Sequence, residues 1–127
     1  MADDRRLETV EEFVTEMAYR GEPLDVCEFF RTELPQFVSW FEVCYPDTLF
    51  PAGLTKDHLR VFIQFLKDRL LEMRIDPWRA DDLLKLKLAV VGTFCAWLAA
   101  ESYVNSDPTD SIPELVPILT PDAQERH

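Results

Sequence analysis

The chain has 127 residues, of which 47% are hydrophobic and 12% aromatic, and its net charge is −11. That length suits a single domain able to bury a core without metal or disulfide, and the apolar share is too high for disorder throughout. The charge, 24 acids against 13 bases, repels phosphate backbones and anionic lipid, which argues against direct nucleic-acid or membrane binding.

Only three glycines stand against nine prolines, too few positive-φ positions for a hairpin-rich β protein. The expected fold class is therefore all-α: an irregular bundle of four to five helices, with a central apolar C-terminal helix and a proline-rich extended tail. Residues 1–105 are expected to form the bundle and 106–127 the tail.

The first helix is expected from Leu7 to Arg20, with Val10, Phe13, Val14 and Met17 on one face and Glu8, Glu12 and Glu16 on another. Gly21 stands where a C′ residue would end it. Pro23 suits the first turn of a second helix, in which Leu24, Cys27, Phe30 and Leu34 recur at helical spacing. Pro35 marks a break, because the residue before a proline disfavours the α region. A short third helix then runs to about Tyr45, with Phe37, Trp40, Phe41 and Cys44 at i, i+3, i+4 and i+7. The stretch "YPDTLFPAGLT" is a connector.

Thr55 is a plausible N-cap for the fourth helix, where Leu59, Phe62, Ile63, Leu66, Leu70 and Met73 keep the 3.6-residue repeat. Asp76-Pro77 signals a restart, and the fifth helix is expected to continue to about Tyr103. Its apolar run, Leu88 to Ala100, is too short to cross a bilayer and reads as a core helix covered on all sides. The tail carries prolines at 108, 113, 117 and 121, a spacing suited to an extended or PPII strand. Ile112, Leu115, Val116, Ile118 and Leu119 are expected to dock rather than hang free.

Catalysis fails on inventory. No Gly-rich phosphate loop, HExxH, GxSxG or EF-hand spacing occurs, so no catalytic, metal-binding or cofactor-binding residue is assigned. His58 reads as a solvated surface histidine. Cys27, Cys44 and Cys95 fall at apolar positions and read as reduced thiols of a cytoplasmic protein. The N-terminus is charged and lacks an apolar h-region, so no signal peptide is expected.

What survives is binding. Phe37, Trp40 and Phe41 are expected inward, while Phe29, Val38 and Tyr45 lie off the main stripe and are expected to be available to a partner protein or a second copy of the chain (a homodimer). The function expected is that of a small acidic protein-binding module: a regulator, inhibitor or accessory protein. Viral or phage accessory proteins, immunity proteins and adaptor domains share such a composition, an analogy of composition only. The alternative is a nucleic-acid mimic that blocks a DNA- or RNA-binding protein. Glu8, Glu12 and Glu16 would stand about 6 Å apart along the helix axis, near the phosphate spacing of a DNA strand.

Overall fold

The computed structural model describes residues 3–104, 106–109, 112, 113 and 115, with side chains from residue 7 onward. Four α-helices and no strands occur among these residues: α1 Asp3–Tyr19, α2 Leu24–Cys44, α3 Lys56–Glu72 and α4 Pro77–Ala100. The chain divides into two compact units, Met1–Gly53 and Leu54–His127.

In the first unit α1 packs on α2. The apolar face of α1 (Val10, Phe13, Val14 and Met17) is buried as its spacing predicts, and Phe13 meets Phe30 of α2 with ring centroids 5.7 Å apart. At the end of α1, Gly21 takes φ +89° and its N–H reaches the Ala18 carbonyl, while the Glu22 N–H reaches that of Met17. This paired closure satisfies two carbonyls the helix would leave open, and its positive φ favours glycine.

Pro35 does not break the chain. It lies inside α2, so the two helices expected there are one of 21 residues. Proline has no N–H to give the Arg31 carbonyl and costs about 3 kcal/mol in a helix interior. Burial on both sides of it outweighs that cost: Phe30, Leu34, Phe37 and Phe41 are all buried. Phe37 and Phe41 also hold Phe50 from the connector, at ring-centroid distances of 6.2 and 5.4 Å.

In the second unit Thr55 caps α3 and Pro77 opens α4. Leu59, Phe62, Ile63, Leu66 and Leu70 are buried as expected. Met73 is not: the helix stops at Glu72, and Met73, its C-cap, is exposed. Asp76 takes the N-cap position of α4 without a side-chain capping bond. α4 ends at Ala100 rather than Tyr103. Ser102, at φ +63°, closes it as Gly21 closes α1, with Ser102 N–H on Ala99 and Tyr103 N–H on Leu98.

From Leu88 to Leu98, α4 has buried residues on every face, including Val90, Val91, Phe94, Cys95 and Trp97. The whole helix has 24 residues and is, by length and composition, long and apolar enough to cross a membrane, more than its apolar run alone suggests. Half of its most apolar stretch is buried within the fold.

The described part of the tail is turned rather than extended. The Ile112 N–H donates to the Thr109 carbonyl at 3.0 Å and the Leu115 N–H to that of Ile112 at 3.1 Å. Pro113 follows Ile112 at the second position of that last turn, where a fixed φ near −65° fits. Proline here punctuates turns instead of stiffening a strand. Ile112 and Leu115 are buried, and the Leu115 backbone lies directly over Gly92 of α4. Val116, Ile118 and Leu119 lie outside the described residues.

Candidate interaction surfaces

The acidic face of α1 is interrupted by bases. Glu8 and Glu12 are exposed, whereas Glu16 is half-buried and accepts from Arg20 at 2.9 Å. Arg31 reaches from α2 to Glu11 at 3.2 Å and to Glu28 on its own helix at 2.6 Å. The hydrogen bond and charge of Glu11, with help from Glu28, raise the Arg31 guanidinium further above its ordinary value. One arginine thus ties two carboxylates of different helices together.

Beyond this face the α1–α2 turn presents two large side chains to solvent. Tyr19 is 89% exposed and Leu24 is 76% exposed, on either side of Gly21. Glu16, Glu22, Asp25 and Glu28 surround that turn in sequence. Leu24 keeps the apolar repeat of α2, so its spacing gave no sign of exposure. Tyr19 stands two residues past Met17, off the Val10, Phe13, Val14 and Met17 stripe, and its spacing points outward. Leu24 is exposed as the first residue of α2, and Tyr19 on the face of α1 away from its buried stripe.

The aromatic candidates divide. Phe29 is half-buried, its ring edge-on to Phe30 at 6.4 Å. Tyr45 is half-buried against Trp40 and Phe41, at 5.8 and 5.3 Å. Val38, expected to be available, is 2% exposed and offers no surface. The reason is the continuous α2: Leu34, Val38 and Phe41 fall at i, i+4 and i+7 of one helix, and Leu34 and Phe41 are core. Trp40 is buried, stacked near Phe37 at 6.2 Å.

The thiols also divide. Cys27 and Cys95 are buried, and burial pushes the Cys95 thiol far above its ordinary value, with Asp107 adding to the shift. Cys44, expected in the core, is exposed. It is the last residue of α2, where the Tyr45 ring, rather than the thiol, covers Phe41.

In the second unit His58 is a part-exposed surface residue, and it also caps α3. Its Nδ1 accepts the Thr55 N–H at 3.1 Å, while the Thr55 hydroxyl oxygen accepts the His58 N–H at 3.4 Å. Histidine here fills the place usually held by Glu or Gln in a capping box. Desolvation lowers its pKa, with the Asp57 charge partly opposing. An open cleft of about 380 Å³ beside this cap is lined by both signs of charge, Lys56 and Arg60 with Asp57 and Asp107. At the other end of α3, Leu71, Met73 and Trp78 are 77%, 56% and 67% exposed.

Among the described residues no group of three or more His, Cys, Asp or Glu is placed to hold a metal ion. No protein-family model, curated protein or solved structure matches the chain.

Proposed function

We propose that this chain is a protein-binding module, acting without catalysis as a regulator, inhibitor or accessory protein. Its first unit takes a partner that offers an apolar pocket rimmed by basic groups. The observation that carries this reading is the exposure of Tyr19 and Leu24 at a turn set among carboxylates. Exposed tyrosine and leucine within a charged rim have the anatomy of interface anchors, and the acids steer a basic partner toward them.

The test is affinity capture from the native host with the wild-type chain and with Tyr19→Ala and Leu24→Asp, at low and high salt. Both variants should melt like wild type, since neither side chain is in the core, and both should lose the captured partner. Retention of the partner by both variants would reject the turn as the docking site. A second reading, nucleic-acid mimicry, is favoured by Glu8 and Glu12, exposed one turn apart. It predicts capture that survives Tyr19→Ala and collapses with salt.

A further inference from the structure

The turn between α3 and α4 carries a different surface. Leu71, Met73 and Trp78 stand exposed within eight residues of chain, a concentration of large apolar side chains at one end of a helix pair. The connection is short and held at both sides: the Met73 and Arg74 N–H groups bond back to Leu70 and Leu71, and Pro77 starts the next helix. The three side chains are therefore presented from ordered helix ends.

The charge around them is unlike that of the chain as a whole. Residues 67–82 hold four bases and five acids, while residues 1–53 hold four bases and twelve acids. Two copies of a chain with net charge −11 repel each other wherever acidic surfaces meet. At the balanced turn that repulsion is least. Arg74 and Arg79 stand there among Glu72, Asp76, Asp81 and Asp82, so charge opposes a second copy less than it does at the acidic surfaces, and apolar contact is left to hold the pair.

We propose that the α3–α4 turn is a self-association surface whose occupant is the same turn of a second copy, with Trp78 as its anchor. Three side chains and their flanking stems make a contact at the small end of interface sizes, below about 1,200 Å² in total. The dimer is accordingly weak and concentration-dependent. It is independent of the first unit, so Tyr19→Ala leaves it intact.

Trp78 makes the proposal measurable, because Trp40 and Trp97 are buried and only Trp78 of the three tryptophans is open to an aqueous quencher. Sedimentation equilibrium and acrylamide quenching of the full chain over a wide concentration range, at low and high salt, form the test. Expected is a rise in mass from monomer to dimer, a matching fall in quenching, and stronger association in high salt as repulsion between the acidic surfaces is screened. Leu71→Asp should hold the mass at monomer and quenching at its dilute value, with an unchanged melt, and Trp78→Ala should also remain monomeric. A monomeric mass at every concentration overturns the proposal. So does a dimer that persists in both variants, or one that dissolves with salt and so belongs to oppositely charged surfaces.

Discussion

Replacing Gly92 with alanine sets two effects of opposite sign against each other. In a helix interior alanine is better than glycine by about 1 kcal/mol, because the glycine backbone loses more freedom on folding. A Cβ at position 92, however, would stand 2.8 Å from the Leu115 carbonyl oxygen and 3.0 Å from its carbon. Those are backbone atoms, which cannot swing aside as a side chain can. Forcing extra carbon into such a contact costs about 1–3 kcal/mol. The expected net effect of Gly92→Ala is a loss of about 0–2 kcal/mol, or a few degrees in Tm for a chain of this length. That range touches zero, so the decisive measurement is a cycle with the chain cut after Val104. The cut alone should lower the melting temperature, since burial of Ile112 and Leu115 contributes about 1.5–3 kcal/mol each before ordering costs. Within the shortened chain the clash is gone, and Gly92→Ala should now stabilise by about 1 kcal/mol. Denaturant melts of the four proteins give the coupling, and hydrogen exchange at the Leu115 N–H shows whether its bond to Ile112 survives the substitution. If alanine stabilises the full chain as much as the short one, Leu115 does not rest on α4 and the reasoning fails.

Trp40→Ala should cost about 3–5 kcal/mol through the cavity it leaves among Phe37, Phe41 and Tyr45, and an unchanged thermal melt would show that Trp40 is no part of the core. His58 gives the fold a pH dependence. Its folded-state pKa lies below the ordinary 6.5, so its contribution is complete above 6.5 and is lost as pH falls through the lowered folded value. Protonated Nδ1 can no longer accept the Thr55 N–H. Melts of wild type and His58→Gln across acid pH should show the wild type losing ground to the variant, whose amide oxygen accepts at every pH; parallel curves would refute the capping role.

The local rules were legible where a single residue type decides the geometry. Thr55 before the apolar repeat of α3 and Gly21 after that of α1 could be read directly, because a cap oxygen or a positive φ has few alternatives. The apolar profile of α4 after Leu86 likewise announced burial on every face. What could not be read was competition between a local preference and packing. Pro35 carries a strong signal to stop, and the burial of residues before and after it overrides that signal. Val38 was misplaced as a direct consequence, since breaking the helix erased its register with Leu34. Ends of helices were the other blind spot. Cys44, Met73 and Leu24 keep the core's spacing, yet they stand at the ends of their helices and are exposed. In the tail, proline spacing suggested extension, but Pro113 stands at the second position of a turn, a place that suits proline as well. The candidate surfaces were legible only in part: Glu8 and Glu12 are exposed as expected, while Trp78 and Leu71 gave no signal apart from their turn.

The three thiols are distributed so that chemistry can follow motion in each part of the chain. Cys44 is open to an alkylating reagent in the folded protein, whereas Cys27 lies in the core of the first unit and Cys95 in that of the second. A buried thiol reacts only during the moments when its surroundings open, and for Cys95 the raised pKa further starves the reactive thiolate until water arrives. Cys44 therefore marks time zero, and the two slower reactions clock openings separately. Equal rates at Cys27 and Cys95, once each is corrected for intrinsic reactivity, would mean that the halves open in one event. Unequal rates would rank them, and would identify the half that a binding partner finds easier to remodel.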